Sequence, residues 1–199
     1  MLDYLVKNTE NFLQTAIIVF AILFVRFLIG AIGLFLVAKK RDAKAPFLAF
    51  LPVVYPLTLG SLADKANIKR GKKTNSATTL LVLSILKTVA YTAFIITTAL
   101  SLSSIIAAAT EAVANGSTMT ADMFKSAIFV VATYLVALIL AIFYVVYYYI
   151  SLFRVYKREM STGLAVVSLI LSLFVSPAKE IILFVLGIVI KEEKGFAIE

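Results

Sequence analysis

The chain has 199 residues, 62% of them hydrophobic, with a net charge of +8 and a mean hydropathy of +1.02. It contains no Cys and no His, and its eleven carboxylates are scattered, which argues against disulfide frameworks, thiol nucleophiles, imidazole bases and soft-metal sites. The composition therefore predicts no catalytic residues, no metal site and no cofactor, and we expect a non-enzymatic protein.

Four long apolar runs divide the chain, at residues 15–38, 77–109, 126–152 and 162–190. Each run has at least the ~20 residues that a helix needs to cross about 30 Å of hydrocarbon. The sequence therefore predicts an all-α polytopic transmembrane helical bundle, a single integral membrane domain with four inserted helices. Residues 1–14 offer no small-residue cleavage site, so we expect the first run to stay in the protein as an anchor.

The distribution of Lys and Arg predicts the orientation of these helices. Nine basic residues lie in the loop 39–76, and three lie in the loop 153–161. Residues 1–14, the loop 110–125 and the tail 191–199 hold four basic residues in all. Because positively charged loops stay in the cytoplasm, the N-terminus and the loop between the second and third runs are predicted to be external.

The segment 45–63 is apolar, but it holds three prolines, Pro46, Pro52 and Pro56. Each proline removes a backbone donor and interrupts a helix, and a fifth crossing here would separate the flanking basic residues onto opposite sides of the membrane. We therefore expect a proline-broken re-entrant or interfacial element on the cytoplasmic side. An interfacial helix without a further role is the alternative to a functional re-entrant loop.

The basic residues around this segment are predicted to contact anionic lipid headgroups, and each contributes about 1 kcal/mol near such a surface. They are Lys39, Lys40, Arg41, Lys65, Lys69, Arg70, Lys72 and Lys73. Nucleic acid would attract the same charges in a soluble chain. The neighbouring apolar runs make the lipid bilayer the nearer partner, and no nucleic acid is expected.

Residues 38–65 combine a basic turn, an aromatic-Leu-Ala-Phe-x-Pro run and a closing Leu-Gly-x-x-Ala-Asp. The positions that carry this pattern are Lys39, Lys40, Arg41, Phe47, Leu48, Ala49, Phe50, Pro52, Leu59, Gly60, Ala63 and Asp64. The pattern resembles one found in uncharacterised small multi-pass membrane proteins of Gram-positive bacteria. The resemblance implies a location in the bacterial cytoplasmic membrane and brings no known activity with it.

The fourth run has two possible paths. A straight helix over 162–190 would be about 43 Å long, more than the hydrocarbon requires, and Pro177 interrupts it. Either the helix kinks at Pro177 and crosses, which leaves the tail 191–199 outside, or it turns back, which leaves the tail inside. The four-helix arrangement predicted here takes the crossing.

Four charged residues lie inside the apolar runs, namely Arg26, Lys87, Lys179 and Glu180. Arg26 is about 16 to 18 Å from either end of its run, and an unpartnered Arg at a helix centre costs at least ~2.5 kcal/mol. Glu180 is the one carboxylate within a run and, on the crossing path, has a similar depth, so we predict an intramembrane Arg26–Glu180 pair. Lys87 is shallower and can snorkel to the headgroups, whereas Lys179 is an alternative neighbour for Glu180.

A group of tyrosines ends the third run, comprising Tyr144, Tyr147, Tyr148, Tyr149 and Tyr156. Amphipathic rings prefer the headgroup level, so this group is predicted to mark the cytoplasmic interface. A binding role for these rings is the alternative.

The sequence also contains a faint repeat. Lys40-Arg41-Asp42 after the first run is echoed by Lys157-Arg158-Glu159 after the third, and each precedes an apolar segment that contains proline. Parallel repeats of this kind occur in transporters, although cytoplasmic helix ends are often basic without any duplication.

Two functions fit these features. The leading expectation is an accessory or assembly component of a bacterial envelope complex, with a membrane-protein partner or a second copy, because the chain lacks both catalytic groups and large soluble loops. The alternative is a small-solute or ion transporter or channel built around Arg26, Glu180 and the breaks at Pro52 and Pro177.

Overall fold

The computed structural model is helical apart from short connections over the residues that it describes, which are 2–43, 45–69, 71, 73–115, 121–175 and 177–191. For residues 2–13, 105, 108–109, 111–115 and 121–123 it describes the backbone alone. In chain order the elements are α1 (Leu2–Lys40), a 3-10 helix (Pro46–Phe50), α2 (Tyr55–Ile68), α3 (Ser76–Asn115), α4 (Ala121–Glu159), α5 (Thr162–Phe174) and α6 (Ala178–Val189). The predicted all-α class is confirmed.

Three of these helices are long and apolar enough to cross a membrane. Their candidate spans are Gln14–Lys40 in α1, Ser76–Ser104 in α3 and Phe124–Glu159 in α4. Large apolar side chains are exposed along all three, as expected of helices whose solvent is lipid. Because α1 begins at Leu2, the predicted N-terminal segment continues the first helix and is not a separate extension.

Helices α1 and α4 finish side by side, at what we call the basic end of the bundle. The guanidinium of Arg41 binds both carboxylate oxygens of Glu159, with a distance of 2.9 Å from Nε to Oε1, and both side chains are largely buried. Helix α3 starts at the same end, because Nη1 of Arg154 donates to Oγ of Ser76 at 2.7 Å. The basic end is therefore tied together by bonds between elements distant in sequence.

The segment 45–68 enters the bundle from the basic end and returns to it. In the first arm, the rings of Phe50 and Phe35 pack with their centroids 5.5 Å apart. After the turn, Tyr55 lies 6.1 Å from Phe27, which is thirteen residues before the end of α1. The turn therefore reaches about 20 Å into the bundle.

Prolines shape this segment as the sequence predicts, by breaking the helix. Pro46 begins the 3-10 helix and Pro56 lies in the first turn of α2, positions where a missing N–H is tolerated. Pro52 lies between the two arms, where the non-helical carbonyl of Val53 accepts a hydrogen bond from Oγ of Ser84 at 2.9 Å. The predicted broken element over 45–63 is thus a helical hairpin, which we call the first hairpin.

The fourth run is two helices and not one. The proline ring of Pro177 cannot continue a helix, so α5 ends at Phe174 and α6 starts at Ala178. With 13 and 12 residues, each helix is about 20 Å long, too short to cross the hydrocarbon alone. We call this pair the second hairpin.

The second hairpin turns back, which corrects the predicted crossing of residues 162–190. Helix α6 runs beside α1 in the same direction, since Glu180 near its start contacts Arg26. At its other end, Nζ of Lys40 donates to the carbonyls of Ile188 and Ile190 at 3.0 and 2.7 Å. The chain therefore returns to the basic end, and residues 192–199 of the predicted tail lie outside the described residues.

The two hairpins connect the two halves of the molecule. The first arm of each hairpin packs against the long helix that precedes it, and the second arm packs against the long helix of the other half. Thus the 3-10 helix contacts α1 and α2 contacts α4, while α5 contacts α4 and α6 contacts α1. A long helix followed by a broken element therefore occurs twice, as the sequence repeat suggests.

Helices α1 and α6 approach closely because Gly33 and Gly187 lie at their contact. A Cβ atom on Gly33 would lie 2.6 Å from the carbonyl carbon of Leu183 and 2.7 Å from Cα of Phe184. A Cβ atom on Gly187 would lie 2.9 Å from the carbonyl oxygen of Gly33. Small residues of this kind allow backbones to touch where lipid supplies no hydrophobic driving force.

The Leu-Gly-x-x-Ala-Asp pattern forms the joint between α2 and α3. The carboxylate of Asp64 accepts hydrogen bonds from the N–H groups of Ser76 and Ala77 at 2.7 and 2.9 Å, which caps the first turn of α3. A Cβ atom on Gly60 would lie 2.6 Å from the nitrogen of Ala77, so only glycine permits this approach. These residues therefore have a structural role.

Candidate functional site

The tips of the two hairpins meet beside the middle of α1 and border a cavity of about 410 Å³. We call it the central cavity. The first hairpin contributes Pro52 and Tyr55, the second contributes Lys179 and Glu180, and α1 contributes Arg26. The side of α4 supplies Tyr144, Tyr148 and Tyr149. Chain breaks and charged groups therefore coincide at one place.

The predicted Arg26–Glu180 pair is present in this cavity. Nη2 of Arg26 lies 3.2 Å from Oε1 of Glu180, and the two side chains are 30% and 12% exposed. Nζ of Lys179 lies 3.9 Å from the same oxygen, so both suggested neighbours of Glu180 contact it. The carboxylate is shared between two cations.

Each member of the pair also has a buried atom without a partner. Nε of Arg26 and Oε2 of Glu180 make no hydrogen bond to any residue that the structure describes. An unsatisfied buried polar atom costs about 1–3 kcal/mol, and more when its group is charged. Both atoms are enclosed by protein, so the pair leaves hydrogen-bonding capacity unused beside the cavity.

Lys87 of α3 also points toward this site. Its Nζ lies 4.0 Å from the ring centroid of Tyr144, and Nζ of Lys179 lies 5.4 Å from that of Tyr148. An ammonium over an aromatic face is held by the ring quadrupole. Lys87 is therefore directed to a tyrosine and not along its helix to the headgroups, as snorkelling would require.

The tyrosines at the end of α4 are mostly part of the bundle, which corrects the predicted interfacial belt. Tyr148 is only 6% exposed and Tyr156 is fully buried, with its hydroxyl 3.1 Å from Oγ of Ser172. The hydroxyl of Tyr149 donates to the carbonyl of Ser172 at 3.0 Å. Tyr147 is 43% exposed and is the member that fits a belt.

The spacing of these tyrosines along α4 indicates which of them are buried. Tyr144 and Tyr148 are four residues apart, and Tyr149 and Tyr156 are seven apart, which places each pair on one side of a helix. At about 100° per residue, Tyr144, Tyr148, Tyr156 and Tyr149 span an arc of about 140° around α4, and Tyr147 lies roughly 60° outside this arc. Helical periodicity, applied inside the run, separates the inward rings from the exposed one.

The charges around the central cavity do not balance. Among the described residues that line or adjoin it, Arg26, Lys87 and Lys179 are cationic and Glu180 is anionic, so three positive charges and one negative charge leave +2. Arg26 lies near the midpoint of the span Gln14–Lys40. A positive excess at that depth, where screening is weak, attracts an anion.

The bases predicted to contact lipid divide into two groups. Lys40, Arg41 and Lys65 bind other parts of the protein, since Nζ of Lys65 donates to the carbonyls of Arg41 and Asp42. Lys39, Lys69 and Lys73 are exposed. Arg70 and Lys72 lie outside the described residues. Part of the basic cluster therefore stabilises the fold.

No group of three or more metal-binding side chains occurs in the part of the chain that the structure describes. Comparison of the chain with protein-family models, curated proteins and solved structures gave no match. The central cavity is thus the feature from which a function can be argued.

Proposed function

We propose that the chain is a multi-pass protein of the bacterial cytoplasmic membrane that transports a small anion through the central cavity. The observation that carries this proposal is the Arg26–Glu180 pair, with one unpartnered buried atom on each side chain, at the middle of a candidate span. Ionisable groups at this depth are rare and mark substrate paths. Broken helices that meet near the midplane are how secondary transporters hold their substrates.

The charge and size of the cavity support an anionic substrate. Its net positive charge favours an anion, and about 410 Å³ lies within the roughly 300–1,000 Å³ of ordinary ligand pockets. A carboxylate or phosphate oxygen in the cavity would accept hydrogen bonds from the guanidinium of Arg26, whose side chain is 30% exposed. Glu180 serves as the counter-ion that keeps Arg26 from being buried alone.

Contacts between elements close the bundle on the basic side of the cavity. The Arg41–Glu159 pair joins α1 to α4 below it, and Lys40 holds the end of α6. A transport cycle would therefore require the hairpins to move against α1 so that the basic side opens.

The proposed orientation places the basic end in the cytoplasm and both hairpins as re-entrant elements on that side. We expect cysteines at Lys39, Lys73 and Lys191, introduced one at a time, to react with an impermeant maleimide only from the cytoplasmic face. A cysteine at Thr110 should react only from the other face. The chain has no native cysteine, so the labelling has no background. Labelling of Lys39→Cys and Lys73→Cys from opposite faces would contradict the re-entrant first hairpin.

The transport proposal predicts anion flux in proteoliposomes loaded with chloride, inorganic phosphate, acetate or succinate. At least one of these probes should leave vesicles that contain the protein faster than it leaves empty vesicles. The variant Lys179→Gln removes one positive charge without leaving Glu180 unpaired, because Arg26 still contacts it. At about 8 Å and an effective dielectric constant of about 20, that charge is worth roughly 2 kcal/mol, so flux should fall about tenfold or more.

The matched control for this assay is Lys39→Gln, which removes an exposed charge far from the cavity and should leave the flux unchanged. If no probe moves above the empty-vesicle rate, or if the Lys179 and Lys39 variants behave alike, the central cavity is not an anion path.

The accessory role expected from the sequence remains the second candidate, and we place its partner surface on the exposed half of α1. Ile17, Phe20 and Phe24 are 52–71% exposed, beyond the region where α1 packs against the hairpins. A partner helix or a second copy could cover this surface. Absence of flux together with stable co-purification of one membrane protein would support this candidate over transport.

A further inference from the structure

A second cavity, of about 710 Å³, adjoins the central cavity along α4. We call it the lateral groove. Its walls come from α4 and α5, with Asn67 and Thr74 at the α2–α3 joint. Val145 and Tyr149 are shared with the central cavity and separate the two spaces. The transport proposal gives this groove no role.

The groove is apolar at depth and basic at its mouth. Its deep part is lined by Val145, Ile150, Leu169 and Leu173, whereas Arg154 and Lys157 lie near the basic end of the bundle. From Val145 to Lys157 the helix rises about 18 Å. The apolar part, from Val145 to Phe153, accounts for about 12 Å of this rise. One leaflet of hydrocarbon is about 15 Å deep, so the apolar part can hold most of a lipid chain that lies along the membrane normal.

The two bases at the mouth can act together. Arg154 and Lys157 are three residues apart on α4 and therefore lie on the same helix face. Lys157 is exposed, and Arg154 donates one hydrogen bond, to Ser76, from a guanidinium with five donors. The nearest carboxylate on the neighbouring joint, Asp64, is occupied by the N–H groups of α3 and by Thr74.

We propose that the lateral groove is a specific site for one anionic phospholipid, with an acyl chain along α4 and α5 and the phosphate between Arg154 and Lys157. A free phosphate would use the mouth and leave the apolar part empty, and a neutral lipid would leave the charges unused. The combination of both parts in one groove matches a single amphipathic anion. The site does not depend on transport, because none of its bases lines the central cavity.

The test measures lipid retention by the full chain, purified in a neutral detergent and analysed by native mass spectrometry. We expect bound phosphatidylglycerol to survive at detergent concentrations that remove phosphatidylcholine of the same chain length. The double variant Arg154→Gln, Lys157→Gln should retain about tenfold less phosphatidylglycerol, since each base near an anionic headgroup contributes to binding. Ile150→Trp fills the apolar part without changing charge and should also lower retention.

The matched control is Lys39→Gln, Lys191→Gln, which removes two exposed charges at the same end but away from the groove. It should retain phosphatidylglycerol like the unchanged protein, and inorganic phosphate should not displace the lipid. Equal retention of both lipids, equal losses in both double variants, or displacement by inorganic phosphate alone would each overturn the proposal. Normal helical content of each variant by circular dichroism excludes misfolding as the cause of a loss.

Discussion

Replacement of Glu180 by Gln is expected to lower the free energy of unfolding by about 3 kcal/mol. The substitution keeps the size of the side chain but removes the charge that Arg26 contacts at 3.2 Å. Breaking a largely buried pair by removing one partner typically costs about 3–5 kcal/mol, because the remaining charge is left uncompensated. We place the effect at the lower end, since Arg26 is partly exposed to the cavity.

A double-mutant cycle measures the interaction energy between Arg26 and Glu180 apart from the other effects of each substitution. In a chain that already carries Arg26→Leu, Glu180→Gln should cost at least 1 kcal/mol less than it does alone, as expected for residues in contact. Unfolding can be followed by circular dichroism in mixed micelles with increasing dodecyl sulfate. Lys179→Gln is the control, because it leaves the pair intact and should cost less than about 1 kcal/mol. Additive losses would show that Arg26 and Glu180 do not stabilise one another.

Gly33→Val is expected to be at least as damaging, with a loss of about 3 kcal/mol in the free energy of unfolding. The first added carbon already lies 2.6–2.7 Å from backbone atoms of α6, and backbone cannot move aside as a flexible side chain can. Forced overpacking usually costs about 1–3 kcal/mol, and the two further methyl groups of valine increase the clash. Helix α6 should therefore separate from α1 and expose its buried face.

Gly163→Val is the matched control for this substitution. It makes the same chemical change in the first turn of α5, where an added Cβ would meet nothing within 4 Å. Its effect should stay within roughly 0.5–1 kcal/mol, the range of intrinsic helix and backbone preferences. Equal stability of the two variants in the same micelle titration would mean that the α1–α6 contact does not hold the second hairpin in place.

Much of the fold could be predicted from local patterns. The apolar runs predict α1, α3 and α4. In lipid, the backbone N–H and C=O groups of such a segment must hydrogen-bond to one another, and a helix satisfies this requirement. The prolines predict both breaks, at Pro52 and at Pro177, since their effect on a helix is local. The direction that the chain takes after a break depends on contacts with distant residues, and for this direction the sequence was insufficient.

The path of the second hairpin could not be predicted from the sequence. Pro177 is compatible both with a kinked helix that crosses the membrane and with a chain that turns back. The balanced charges after Ile190 favour neither path. The deciding contact joins Gly33 to Gly187, and their complementarity is visible only once both helices are placed. The Arg26–Glu180 pair was predicted from matching depths on the crossing path, and the two side chains also meet when the run folds back at Pro177.

The two residues of the ion pair are synthesised at different times. Arg26 and Glu180 are separated by 154 positions, and at about 5–20 residues per second the ribosome needs roughly 8 to 30 seconds to pass from one to the other. Throughout that interval the nascent first helix carries this guanidinium without Glu180, the carboxylate that contacts it among the described residues. We therefore expect it to linger at an insertase or near the membrane surface, and to settle at full depth only when the last helix emerges.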